Sequence, residues 1–384
     1  MNKVLQSYIS YNSRLKTKKG KVIFMGLWII FVLAAAKGWF SFYVTGIFTD
    51  MLAWMIYSVS GSLVAYFLLS FFDNRRRFTR FHLFTMFSVA FVFAPFSAVI
   101  TDLSPKPLVT VGLIEEFFKV VPLILFAIFV PNIIRTKKDG IIYGALGGIG
   151  FNIIEISLYI SRALKDVSVT EAISTHSTRL AIWGFGNHVI WSAFVGLGIG
   201  MFVQSKRRGF KRWLLPIGIY LIVAVAHSAF DLGMSSVVIL LISMVLSYFQ
   251  GTSIHDLDFS LTTNGIARTS AILEHGVYNA IFIAILIWQG VKSVIWEQKM
   301  IVKNLLSEHD SIVSKEEKIL IKNEGDFFSR RYRSIPRMVS KRLIKYQNLL
   351  AMFKHYVTEE EKDVDSVKEI KDLQHAIIEL RKSV

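Results

Sequence analysis

Residues 108–131 read LVTVGLIEEFFKVVPLILFAIFVP, long enough to cross a bilayer as a helix yet carrying Glu115, Glu116 and Lys119 within the apolar run. An ionisable side chain inside such a span costs about 2.5–3.5 kcal/mol on insertion scales, so it faces a bundle interior and marks function. Working outward, further apolar segments fall at 22–40, 51–72, 82–101, 139–162, 181–204, 213–232, 234–250 and 269–291. The whole chain of 384 residues is 53% hydrophobic and 19% charged, with a mean hydropathy of +0.48, which excludes a soluble enzyme. The expected fold class is all-α: a polytopic transmembrane helix bundle of about 8–9 spans, embedded in the lipid bilayer, with a helical soluble C-terminal tail.

Charge placement orients the bundle. The formal charge of +16 is not a nucleic-acid signal here, because Lys and Arg collect in alternate loops. Arg75, Arg76, Arg77 and Arg80 follow the second segment, Arg135, Lys137 and Lys138 the fourth, and Lys206, Arg207, Arg208, Lys211 and Arg212 the sixth. That pattern puts the N-terminus and every second loop in the cytoplasm, and the 163–180 loop outside. Eight crossings keep the basic tail inside; nine put it outside, so 234–250, with its short apolar core, is read as re-entrant or interfacial. The basic run before the first segment, together with that segment's length, identifies a retained span and not a cleaved signal peptide. With no Cys, disulfides and Cys-ligated zinc or iron–sulfur sites are excluded.

Four parts are expected: N-terminal transmembrane helices (1–107), a catalytic four-helix core (108–232), C-terminal membrane segments (233–291) and a basic helical tail (292–384). From 292 onward, 19 basic residues face 15 acidic ones. Val367, Ile370, Leu373, Ile377 and Leu380 recur at helical spacing, and Thr358 before three Glu residues is an expected N-cap, so a helical hairpin is expected. The tail is read as a solvated appendage or a surface for a partner.

Glu115 and Lys119 share a helical face and can pair; Glu116 then points about 100° away. Two adjacent carboxylates in low dielectric resist double ionisation, which suits one of them to proton transfer. On the fifth segment, Phe151 and Glu155 share a face, and Asn152 is placed to donate to Glu155. The sixth carries His188 and Trp191, and in the seventh His227 and Asp231 stand four apart, where the carboxylate can orient the imidazole. At 1.5 Å rise per residue, Glu115, Glu155, His188 and His227 each lie roughly 7–11 Å below the outer boundary. Four polar centres in one layer point to a single site open to the extracytoplasmic side. Trp191 is read as packing, Asp231 as support or a boundary residue, and Glu274, His275 and Asn279 as a reserve cluster.

This ordered set resembles the PrsW family of intramembrane proteases, relatives of the non-zinc CAAX prenyl endopeptidases. The resemblance rests on Glu-Glu-x-x-Lys at 115–119, Gly-Phe-x-x-x-Glu at 150–155, His-x-x-Trp-Ser at 188–192 with a Gly-rich continuation, and His-x-x-x-Asp at 227–231. It departs at Ile156, where the family usually has Asn, and the tail has no counterpart. The resemblance implies an integral protein of a prokaryotic cell membrane that hydrolyses a peptide bond in a membrane-anchored protein, typically a regulator such as an anti-sigma factor.

The residues support the same chemistry. Amide hydrolysis needs an activated water, an oxyanion donor and an acid for the leaving amine. Glu115 or Glu116 with Glu155 can deprotonate water; His188 or His227 can stabilise the oxyanion or return a proton. The reading prefers no cofactor, because HExxH is absent and Lys119 balances the acids, with zinc on two His and carboxylates as the alternative. A proton- or ion-coupled transporter is the competing class, but inverted repeats and broken midplane helices are not evident. A catalytically silent scaffold is a third, opposed by the intact set of acids and histidines.

Overall fold

The computed structural model describes residues 17–73, 79–105, 107–130, 132–177, 179, 184–205, 210–232, 276–324, 332, 334–359 and 364–382. Among these no strand occurs. Twelve helices follow in order: α1 (Lys18–Val44), α2 (Phe48–Phe72), α3 (Thr79–Asp102), α4 (Pro107–Phe129), α5 (Lys137–Ala163), α6 (Val169–Ser177), α7 (Asn187–Gln204), α8 (Lys211–Asp231), α9 (Ala280–Leu306), α10 (Lys315–Glu324), α11 (Arg337–Glu359) and α12 (Val364–Lys382). Seven of them, α1, α2, α3, α5, α7, α8 and α9, are long and apolar enough to cross a membrane. The eighth, α4, is as long and apolar but carries the three charges that define the site. The segment 234–250 lies outside the described residues.

Helix α5 is the axis of the bundle, buried along nearly its whole length. Its start is fixed by a capping box, in which Thr136 accepts from the Asp139 amide and Asp139 accepts from Thr136. Gly140, Gly144 and Gly148, one turn apart, let α7 approach backbone to backbone. A β-carbon on them would stand 2.1, 2.2 and 2.4 Å from the carbonyl oxygens of Gly196, Ser192 and His188. Only glycine permits that contact, the small-residue packing of membrane helices. In α3 a π turn at Val89–Phe93 disturbs the helical ladder, and Trp39 Nε1 donates to the Phe91 carbonyl at 2.8 Å. His82 and Asp73 form a buried 2.8 Å pair at the α2–α3 junction.

Two polar contacts set the direction of α9. Asn279, just before it, accepts from Trp191 of α7 at 2.7 Å, and Glu297 meets Lys138 at the start of α5 at 2.6 Å. Those two residues are about 27 Å apart along a helix. Tyr278 also donates to the Ala226 carbonyl near the end of α8. The chain thus ends α8 and begins α9 at one level, and its tail emerges beside the amino end of α5. Phe24 of α1 packs on Phe129, the last residue of α4, so the first helix starts on that same side. Among the described residues, these levels are the ones the eight-crossing reading expects.

The apolar segment expected at 269–291 is displaced. Residues 276–278 are helical, α9 starts at Ala280, and it runs unbroken through 292 to Leu306. Its last turns, with Met300, Ile301 and Leu305, join a core completed by Leu349, Phe353 and Ile377 of the tail. The expected hairpin is α11 and α12, with Leu373 and Ile377 buried between them. Thr358 is not its N-cap, because α11 continues through Glu359 and α12 starts only at Val364.

Candidate active site

Of the sixth apolar segment, expected over 181–204, residues 181–183 lie outside the described residues and α7 starts at Asn187. Residues 184–186 pass between α2 and α5, with a turn at Gly184 and extended backbone at Gly186. Gly184 has φ +89°, a left-handed conformation that glycine adopts freely, and a β-carbon there would lie 2.8 Å from Ser62 Cα. The amino end of α7 is therefore inside the bundle, with His188 in its first turn.

Around that point four helices converge. Lys119 Nζ, fully buried, lies 2.7 Å from Glu116 Oε1, 3.3 Å from Glu115 Oε2 and 2.6 Å from His188 Nδ1. It also sits 4.1 Å above the Phe151 ring. The expected Glu115–Lys119 pair forms, and Glu116, one residue on, comes closer still. Because Lys119 donates to His188 Nδ1, the other ring nitrogen carries the proton and donates to Glu155 Oε2 at 2.6 Å. His227 lies between acids: Nδ1 is 3.0 Å from Glu116 Oε1, though off the hydrogen-bonding direction, and Nε2 is 3.3 Å from Asp231 and 3.7 Å from Glu115. The Trp191 ring packs on both imidazoles, at 4.5 Å from His227 and 5.7 Å from His188.

All five expected catalytic residues, with Lys119, Trp191 and Asp231, thus meet in one cluster. Asn152 departs from expectation: it is buried, but its amide bonds to neither Glu155 nor anything else. Of the reserve cluster, Asn279 holds Trp191 and bonds Asn187, while Glu274 and His275 lie outside the described residues. Arg179, in the 163–180 loop, enters the site. Its Nη1 is 3.0 Å from Glu155 Oε1, and its guanidinium lies 4.1 Å above the Tyr159 ring. No local spacing links it to Glu155, 24 residues earlier.

Exposure grades across the cluster. The side chains of Glu116 and Lys119 are fully buried, Glu155 is 11% exposed, Asp231 26% and Arg179 29%. The site therefore opens toward the end of the bundle where α5 finishes, opposite the tail.

Three donor groups, from Glu115, His188 and His227, lie within 4.8 Å of one another. Against this geometry the family model described as PrsW family intramembrane metalloprotease matches residues 26–251. The chain belongs to that family. It is an intramembrane peptidase and an integral membrane protein, and the membrane and a membrane-anchored substrate follow from that membership. No curated relative and no solved structure matches it. Membership in a metalloprotease family overturns the preference for a site without a cofactor. A PrsW protease can use the donor set found here, since two imidazoles and a carboxylate are the three-ligand arrangement of catalytic zinc sites. The three candidate donors stand on three different helices, which no single-helix spacing such as HExxH reveals.

Proposed function

We propose that this PrsW protease hydrolyses a peptide bond of a single-span membrane protein, near the extracytoplasmic face, with water activated at Glu116. The observation that carries the reading is the convergence of Glu115, His188 and His227 donor groups within 4.8 Å, with Glu116 against both histidines. Glu115, His188 and His227 would hold a zinc ion, with Lys119 giving up the His188 Nδ1 lone pair to which it now donates, and the ion when bound lowers the pKa of water and polarises a carbonyl.

The remaining residues act as follows. Glu116, buried and facing both imidazoles, takes the water proton and returns it to the leaving nitrogen. Glu155 receives the Nε2 proton of His188 and fixes that ring, the carboxylate–histidine support that ligand imidazoles require. Asp231 does the same for His227. Lys119 offsets the buried acids, and Trp191 holds both rings in place. The outer loops, by the charge pattern, are extracytoplasmic, so the substrate enters from that side. An anti-sigma factor is the regulator that the family resemblance points to.

Two measurements test this. Membrane proteomes of cells carrying the wild type and Glu116→Gln should differ in one shortened single-span protein. Purified chain should contain about one zinc, lose cleavage on chelation and regain it with zinc. Full activity without metal would return the account to a metal-free glutamate mechanism.

A further inference from the structure

The seam between α5 and α7 pairs Gly140 with Gly196, Gly144 with Ser192, and Gly148 with His188. The next position in that stripe is Asn152. There α7 has ended: its N-cap is Gly186, in extended backbone, and the helix begins at Asn187. The first residue of the stripe to carry a side chain therefore lies beyond the amino end of the facing helix. Asn152 Nδ2 lies 3.7 Å from the place a β-carbon on Gly186 would take, so the carboxamide points at that end.

Asn152 is fully buried, and among the described residues neither Oδ1 nor Nδ2 has a hydrogen-bond partner. A group in that condition loses its solvation with no return, and native proteins keep few of them. The amino end of α7 has the complementary property. Its Val189 and Ile190 N–H groups already donate to the Gly186 carbonyl, at 3.0 and 3.2 Å, and the helix dipole makes that end positive. The same turn carries His188, whose ring reaches Glu155 at 2.6 Å, so the spot adjoins the reacting groups.

We propose that Asn152 Nδ2, set against the positive end of the α7 dipole, is the oxyanion donor of this protease, a catalytic role for Asn152 that rests on the hydrolytic reading above. Water oxygen adds to the scissile carbonyl carbon, its proton passes to Glu116, and the C=O electron pair moves onto the carbonyl oxygen. That oxyanion is the acceptor Asn152 lacks in the resting site. Its collapse reforms C=O, breaks the C–N bond, and sends the proton to the departing nitrogen.

The test uses the purified full chain in proteoliposomes, with the single-span protein whose cleavage disappears in Glu116→Gln as reporter. Asn152→Leu should lower kcat roughly 100-fold with KM near wild type, the loss expected for one oxyanion donor. It should also raise the melting temperature, because an apolar isostere replaces an unpartnered amide. Asn152→Ala should show the same kcat loss, which covers the case in which the Leu variant misfolds. Wild-type kcat in either variant overturns the proposal, and so does a lower melting temperature in Asn152→Leu, which would mean that the amide is bonded in the resting protein. No cleavage by the wild type itself overturns the protease reading, and this proposal with it.

Discussion

Glu155 Oε2 and His188 Nε2 stand 2.6 Å apart, joining the middle of the bundle's axial helix to the first turn of a helix that starts inside the membrane. Glu155's second oxygen is held by Arg179 at 3.0 Å, so one carboxylate ties an outer loop to the reacting imidazole. Removing Arg179 leaves Glu155 with one anchor. Arg179→Ala should lower cleavage by roughly 10–100-fold, the range for residues that orient metal-binding histidines. Arg179→Lys, which keeps the charge but not the fork, should recover part of that loss. Rates on the reporter check both, and equal rates in wild type and Arg179→Ala would remove Arg179 from the site.

Lys119 touches Glu116, Glu115 and His188 at once. Expected from sequence to pair with Glu115 and balance the acids, it is the counter-charge of both Glu115 and Glu116. Lys119→Met should therefore destabilise the protein by about 3–5 kcal/mol, the cost of leaving a buried ion without its partner. Thermal unfolding in detergent reads this. A melting temperature equal to wild type would show that the acids are balanced by something else.

The tail is fastened to the axial helix by Lys138 and Glu297, both buried and 2.6 Å apart, with Thr136 donating to the same carboxylate. Lys138→Met and Glu297→Leu should each lower stability, and the double variant should lose less than their sum, because the second change removes the stranded charge left by the first. A double-mutant cycle on unfolding free energies decides it; strict additivity would mean that the pair is not coupled.

Side-of-membrane labelling tests the orientation. The amino end of α1, the amino end of α5 and the tail share one side of the bundle, and the basic loops assign that side to the cytoplasm. A cysteine at the exposed Ser311 should resist a membrane-impermeant thiol reagent in intact cells and react after permeabilisation. A cysteine at Leu103, exposed on the opposite side, should react at once. The reverse pattern would invert the assignment and place the site on the cytoplasmic side.

What the sequence disclosed and what it hid have one physical origin. Glu115, Glu116 and Lys119 were legible because helical periodicity fixes their relative directions, and their depth matched that of Glu155, His188 and His227. The apolar run before α7 was read as helix because hydropathy does not see Gly184, whose positive φ turns the chain into the bundle. Arg179 is not legible as a site residue and Asn279 only as part of a reserve cluster, because each reaches the site through tertiary packing, and Asn152 does not use the partner three residues away that its spacing suggests. The candidate metal donors were hidden for the same reason: Glu115, His188 and His227 share no helix, and only the fold brings them within 4.8 Å.

The most direct test of the central claim is cleavage of the reporter protein by purified wild type and Glu116→Gln in water enriched in oxygen-18, with the products read by mass spectrometry. Hydrolysis at the described site predicts one new carboxyl terminus carrying a single oxygen-18 from the wild type, cut in the outward-facing part of the reporter's span. It predicts no such product from Glu116→Gln at equal protein level. A labelled product of equal yield from both proteins would contradict the assignment of water activation to Glu116.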